Sequence, residues 1–242
     1  MVEAGLGAPA PMKRAEGARE VLDGAIGATE LAATLADIDR LNAWFGGHAL
    51  TRRQIHRLTA DLPHDRALSV VDVGGGTAMF AARLADWARR HGRAIRIVVV
   101  ERDQATLALA RRVVSAYPEV LLVQGDAAAL PFHAHTVDIV ASSLTLHHLE
   151  PEQAVAGLRE MTAAARIAVV VNDLLRRRLS LALVWLATRL LRCHPISRHD
   201  GPLSVRRSYS RDELRALAAR AGARRLTIRQ YPVLGRLLAV LL

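Results

Sequence analysis

The chain has 242 residues, 51% of them hydrophobic, 4% aromatic, and a net charge of +10. That apolar content excludes a disordered chain, and the length suits one α/β domain whose core is built from Leu, Val, Ile and Ala. A single cysteine, Cys193, excludes an intrachain disulfide and a thiolate-rich zinc site, and it is compatible with a reducing cytoplasm.

The charge is unevenly placed. From residue 174 onward there are fifteen arginines and three acids, a net of +12, which leaves about −2 for residues 1–173. Such a basic end suits an anionic membrane surface, a nucleic acid or an acidic substrate. Its rival is compositional bias, since one of the 33 basic residues is lysine. Met1 to Gly17 lacks an apolar h-region, so no secretory signal is expected. The longest unbroken apolar run, Leu181 to Ala187, is far short of the roughly 20 residues that span a bilayer. The expected location is cytoplasmic, with peripheral membrane contact as the reading of the arginine excess.

In chain order, residues 1–17 are rich in Gly, Ala and Pro and are expected to form a loose tail. Residues 18–62 form a helical lid: Leu31, Leu35, Ile38, Leu41 and Trp44 recur at spacings of three and four, and Gly46-Gly47 breaks the pattern. Residues 63–242 form the core. Short Val- and Ile-rich runs at Leu68 to Val73, Ile95 to Val100, Val120 to Val123, Val137 to Ala141 and Ile167 to Val171 read as strands buried on both faces. Helical patterns at Ala78 to Arg90, Gln104 to Ser115 and Glu152 to Ala165 fill the gaps, so the fold class is α/β with a doubly wound, mostly parallel sheet.

The alternation then breaks. Leu174 to Arg192 reads as an inserted apolar helix, with Arg178, Trp185, Arg189 and Arg192 on one stripe. Leu175, Leu179, Ala182, Leu183, Leu186 and Leu190 lie opposite, to pack on the domain and wall an apolar site. Cys193 to Tyr209, with Pro195, Gly201 and Pro202, reads as a loop. Ser210 and Glu213 form a capping box that opens a helix ending near Gly222. Arg225 to Tyr231 and Leu234 to Leu242 complete seven strands as an antiparallel pair.

The sharpest local signal is Asp72-Val73-Gly74-Gly75-Gly76-Thr77-Ala78, a buried strand running through three glycines into a helix. Glycines there let the backbone turn tightly and approach a ligand beside a helix N-terminus. Glu101 ends the second strand and Asp126 follows the third, and ligands of parallel sheets bind at those carboxyl ends. A nicotinamide fingerprint needs glycine three positions after Gly76, where Met79 stands, and no Gly-Lys-Ser/Thr follows for a phosphate loop.

These motifs, continued by Asp138-Ile139-Val140-Ala141-Ser142-Ser143-Leu144-Thr145-Leu146-His147-His148-Leu149, resemble the ordered motifs of class I S-adenosylmethionine-dependent methyltransferases. The branch they resemble most is that of ubiquinone and menaquinone biosynthesis. The resemblance implies S-adenosyl-L-methionine as cofactor and a small-molecule acceptor. It assigns Asp72 and the backbone of Gly74, Gly75 and Gly76 to the methionine part, Glu101 to the ribose and Arg102 to packing near the adenine. Asp126, with Ala127 beside it, takes the adenine amino group, and Ser142 and Leu144 line the other side. Ala78 departs from the family, which often has a third glycine there.

Chemistry is expected beyond the fourth strand, where His147 is a candidate general base. His199, beside Asp200, is a second candidate. Asp173 is read as a helix cap more than as a partner that orients a base. Trp44, Phe45 and His48 are expected in the lid, with Trp44 and Phe45 packing it onto the core. No metal set is expected. The expected function is methyl transfer, to oxygen or carbon, on a lipophilic phenolic, quinonoid or polyketide-like acceptor. The alternatives are a catalytically silent adaptor at a membrane surface and a nicotinamide-dependent enzyme. Nucleic acid is not expected as a partner, because stacking aromatics are scarce.

Overall fold

The computed structural model describes residues 12–64 and 66–242. Five strands follow the apolar runs: β1 (Leu68–Val73), β2 (Ile95–Glu101), β3 (Val120–Gln124), β4 (Val137–Ser143) and β5 (Ala165–Leu174). Two more, β6 (Leu226–Tyr231) and β7 (Arg236–Leu241), end the chain. The sheet order is β3-β2-β1-β4-β5-β7-β6. β1 to β5 are parallel, and β7 inserts antiparallel between β5 and β6.

Eight helices flank the sheet among the described residues: α1 (Ala28–Trp44), α2 (Gly47–Leu58), α3 (Met79–Arg90), α4 (Gln104–Val113), α5 (Pro151–Ala164), α6 (Arg178–Leu190), α7 (Pro195–Arg207) and α8 (Arg211–Arg220). Alternate residues of each strand feed opposite cores, because successive side chains point to opposite faces. Val71, Val73, Val140 and Val169 pack against Leu158 and Met161 of α5 and Leu214 of α8. Val70, Ile97, Ile139 and Val170 pack against Leu84 and Trp87 of α3 and Ile55 of α2. No helix among the described residues is long and apolar enough to cross a membrane.

Three expectations change. The first is the loop over Cys193 to Tyr209, which is mostly helix α7. Pro195 opens it, where no N–H is needed. Gly201 lies where α6 crosses: a Cβ there would stand 3.0 Å from Val184 Cγ1 and 3.4 Å from Thr188 Cγ2. Residues that read locally as breakers serve close helix packing, and tertiary contact overrides propensity.

The second is the orientation of α6. Its inward face is Ser180, Leu183, Val184 and Thr188, while Leu179, Trp185, Leu186 and Leu190 are exposed, Leu190 by 71%. Of the leucines expected to pack on the domain, Leu175 and Leu183 do so, whereas Leu179, Leu186 and Leu190 form a solvent-facing stripe.

The third is the tail, of which residues 1–11 lie outside the described residues. Arg14 is docked: it pairs with Glu150 at 3.2 Å, donates to the carbonyls of Arg207 and Leu149, and stacks over Tyr209. A short 3-10 turn at Val21–Asp23 follows, and its first two N–H groups donate to the Asp200 carboxylate at 3.0 and 2.9 Å. That contact, more than a loop charge, is the role of Asp200.

Candidate active site

Parallel strands end together, so the loops after β1 to β5 converge on one edge of the sheet. A cleft of about 1030 Å³ opens there. It is lined by Asp72, Gly74, Gly75, Gly76, Glu101, Arg102, Asp126, Ala127 and Leu144, nine of the ten residues assigned to the cofactor. Ser142 does not line it: it is 2% exposed inside β4, paired with Val73 and Val171, and the next residue, Ser143, lines the cleft instead. A shift of one residue along a strand changes face, which is the reason for the difference.

The glycine turn is tight where the cleft needs room. Gly74 has φ +68°, and a Cβ on it would fall 2.4 Å from Thr145 Oγ1. A Cβ on Gly75 would fall 2.6 Å from Val99 Cγ1 and 2.8 Å from Asp72 Oδ2. Ala78 caps α3 at φ 62°, a left-handed conformation unusual for a side chain, so the departure from glycine keeps the turn at a cost in strain. Leu144 is likewise held at φ 58°, with its N–H on the Asn172 carbonyl at 2.9 Å.

Of the carboxylates that line the cleft, three lie around the glycine turn. Glu101 accepts from the Gly76 N–H at 3.1 Å and from the Arg102 and Asp103 N–H groups at 2.8 and 3.1 Å, which ties the end of β2 to the turn. Asp72 is 2% exposed and its Oδ2 has no hydrogen-bond partner among the described residues. Burial, reinforced by the Glu101 and Asp39 charges, pushes its carboxyl up to about 7. Asp39 of α1 accepts from the Thr77 hydroxyl, and burial pushes it up to about 6. Asp39 was missed in the sequence. The available signal was its place four residues after Leu35, on the edge of the buried stripe of an otherwise apolar face.

Asp126 accepts from the Ala128 N–H at 2.8 Å and is exposed at the cleft. Of the lid residues, His48 lines the cleft, and burial, then Arg83 and Arg236, hold it down to about 4. Phe45 lines a second, smaller cavity, whereas Trp44 is 66% exposed and does not pack the lid down.

His147 sits at that smaller cavity of about 100 Å³, not at the large cleft. It is 2% exposed. Its Nδ1 lies 2.6 Å from Asp173 Oδ1, and its backbone N–H donates to Oδ2 at 3.0 Å. Asp173 therefore orients a histidine and does not cap α6, whose N-cap is Arg177. Burial works against ionising Asp173, but the contacts from His147 hold its carboxyl below the usual range. The free Nε2 of His147 stands 3.8 Å from Glu20 Oε1, and burial pushes the Glu20 carboxyl up to about 7. His148 stacks on His147 at 4.3 Å and lines both cavities. His199 is remote: its ring bonds Asp200 at 2.8 Å, its side chain is 62% exposed, and it lines neither cavity.

Residues 70–167 match the family described as Methyltransferase domain. A methyltransferase domain thus occupies residues 70–167. Such domains take the methyl group from S-adenosylmethionine, and the matched residues contain Asp72, the glycine turn, Glu101 and Asp126. The CMeT domain of citrinin polyketide synthase is similar at a TM-score of 0.60 and 12% identity, over 78% of this chain and 50% of that chain. A SAM-dependent methyltransferase from Aquifex aeolicus is similar at 0.54 and 16% identity, over 77% of this chain and 87% of that one. Magnesium protoporphyrin IX methyltransferase from Synechocystis PCC 6803, solved with bound SAH, gives 0.54 and 16% over 81% and 83%. At such identities the likeness is one of fold, and this chain spans about half the length of the citrinin polyketide synthase chain it matches. No curated protein matches the chain.

Proposed function

We propose that the protein passes the methyl group of S-adenosylmethionine to a lipophilic small molecule of phenolic, quinonoid or polyketide-like type, at oxygen or carbon. The observation that carries this reading is the acidity of the cleft. Asp39, Asp72 and Glu101 face it, and none of them forms an ion pair with a basic side chain among the described residues. A cofactor bearing an ammonium and a sulfonium supplies the missing positive charge, and an anionic dinucleotide does not. In this reading Asp72 and the Gly74–Gly76 backbone receive the methionine part and Glu101 the ribose hydroxyls. Asp126, with Ala127 beside it, takes the adenine amino group. Arg102 packs near the base, and Leu144 with Ser143 forms the wall facing the acceptor.

When bound, the cofactor supplies an electrophilic methyl group for in-line displacement. The protein's part is first to align the acceptor with it, and alignment of a reacting pair is worth up to roughly 7–11 kcal/mol. His147 then takes the proton of a hydroxyl or enol. Asp173 on Nδ1 fixes the ring so that Nε2 is the free acceptor, and general-base help is worth about 10²- to 10⁴-fold. The acceptor reaches it where Leu144 and His148 border both cavities. The test is mass spectrometry of products formed from methyl-labelled cofactor and phenols of increasing alkyl length. Labelled products that favour the long-chain phenols support the reading. No product from any, or a preference for a nicotinamide dinucleotide in binding, refutes it.

The solvent-facing stripe of α6 favours delivery of the acceptor at an anionic membrane surface. Leu179, Leu186 and Leu190 are exposed there beside Trp185, with Arg189 stacked on the indole at 4.1 Å. Arg178 and Arg192 flank them, whereas Arg176 is held inside by Glu213 at 2.6 Å. A helix lying in the interface buries such a face, and each arginine near anionic headgroups adds about 1 kcal/mol. Vesicle co-sedimentation tests this. Binding to anionic vesicles that fades with salt, and is lost in Leu186→Gln/Leu190→Gln and weakened in Arg178→Gln/Arg192→Gln, supports it. Equal sedimentation of all three proteins overturns it.

A further inference from the structure

The smaller cavity between α1, α6 and β7 has apolar walls but an unusual polar inventory. Buried polar atoms are nearly always hydrogen-bonded, because leaving one unpaired forfeits its hydration for nothing. Around this one cavity the exceptions gather: Arg236 Nε and Nη1, Asn42 Oδ1 and Ser180 Oγ have no hydrogen-bond partner among the described residues, and Glu20 Oε1 has only ion-pair contacts, with Arg207 at 3.6 Å and His147 at 3.8 Å. Gly47 leaves the gap in which two of them meet. A Cβ there would stand 1.7 Å from Asn42 Oδ1 and 3.2 Å from Arg236 Cζ.

Arg236 is the sharpest case. It opens β7 after the left-handed Gly235, opposite Leu174 of β5, and is 3% exposed. A buried guanidinium needs a counter-charge. Two ionisable groups act on it from neighbouring elements. Asp173 on β5 is occupied by the His147 ring at 2.6 Å and by the His147 and Leu174 N–H groups at 3.0 and 2.7 Å. His48 on α2 is held in its neutral form by burial and by the Arg83 and Arg236 charges, so it supplies no anion. Burial lowers Arg236 itself to about 10, which leaves it charged at neutral pH.

We propose that this cavity is an anion subsite of the acceptor pocket, where Arg236 binds a carboxylate carried by a hydroxy-aryl or enolic acceptor. The proposal rests on the methyltransferase reading above for what happens next, not for the binding itself. The Ser180 hydroxyl donates to the same carboxylate, Asn42 Oδ1 accepts from the acceptor's hydroxyl, and the apolar walls from Leu183, Val184 and Phe45 take the adjoining carbon skeleton. Asn42, Leu144 and His148 border both cavities, so an acceptor anchored by its acid group extends past His147 toward the cleft. The acceptor class narrows accordingly to an amphiphile with one acidic group beside the methylated position.

Calorimetry with salicylate as the probe tests this, with salicylamide as the uncharged control and the full chain as the protein. Wild type should bind salicylate saturably and roughly 10- to 150-fold tighter than salicylamide, the range for a charge-assisted hydrogen bond in a buried site. Arg236→Gln should erase that preference, and Arg236→Lys should keep part of it. Arg236→Met should melt at or above the wild-type temperature, since it removes a buried charge that lacks a partner. Equal binding of the two probes to wild type, a preference that survives Arg236→Gln, or a large fall in the melting temperature of Arg236→Met overturns the proposal, the cavity then holding water alone. S-adenosylmethionine titrated into the same samples separates the two readings. Cofactor binding without carboxylate preference sinks only the subsite, and carboxylate preference without cofactor binding sinks only the methyltransferase assignment.

Discussion

The substitution Asp72→Asn tests the acidic cleft most directly, because one carboxylate links stability, pH and cofactor affinity. Asp72 is 2% exposed, with Glu101 and Asp39 nearby and its Oδ2 unpartnered. Its rise from 3.8 to about 7 is worth about 4 kcal/mol against the ionised form. The sign follows from proton counting. Between those two values the folded state keeps a proton that the unfolded chain has lost, so stability falls as pH rises through the window and levels off above about 7. Asp72→Asn removes that dependence. The gap in melting temperature between variant and wild type should widen in the variant's favour from pH 4 to pH 8. At about 2–4 °C per kcal/mol for a domain of this size, the widening is at most roughly 8–16 °C. Binding should move the opposite way. A cofactor cation draws the proton off Asp72, so wild-type affinity should climb with pH up to about 7 and then flatten. The variant should bind S-adenosylmethionine roughly 10- to 150-fold more weakly with little pH dependence. Scanning fluorimetry and calorimetry across pH read both effects. Parallel melting profiles together with unchanged affinity would show that Asp72 neither stores this cost nor meets the cofactor.

Glu101→Ala should weaken cofactor binding by a similar roughly 10- to 150-fold, and it should also loosen the turn, since the carboxylate holds the Gly76 N–H. Calorimetry that returns the wild-type affinity would remove the ribose assignment. His147→Ala should lower turnover by about 10²- to 10⁴-fold while cofactor affinity stays near normal, and Asp173→Asn should lower turnover by a smaller factor by releasing the ring. Full turnover in His147→Ala would leave alignment as the source of catalysis.

Much of the fold and of the cofactor cleft was legible because its signals are local. A strand buried on both faces must be continuously apolar, so five runs from Leu68 onward announce a parallel sheet before any contact is known. Three glycines after a strand mark a backbone that must turn with φ above zero, and Gly74 and Gly76 do so. Acids at strand ends are brought together by topology alone, and nine of the ten residues that the resemblance assigned to the cofactor line one cleft.

What the tertiary structure decided is which side chains lose their water and which partners they then find. Local pattern puts a glycine and a proline in α7 and reads a loop; only the crossing of α6 gives Gly201 its reason. The α6 periodicity marks two faces, but which one turns inward depends on the shape of α7 and the Gly235 turn, and Leu179, Leu186 and Leu190 ended outside while Leu183 turned in. His147 is visible as a histidine, yet its orientation by Asp173 joins residues 26 apart in sequence through neighbouring strands β4 and β5. Arg236 carries one local signal, a charge heading an apolar strand. Its burial without a counter-ion exists only once β7 has inserted beside β5 and α1 and α6 have closed over it. Desolvation is a property of the assembled neighbourhood, so sequence pattern located the residues and packing set their charge states and partners.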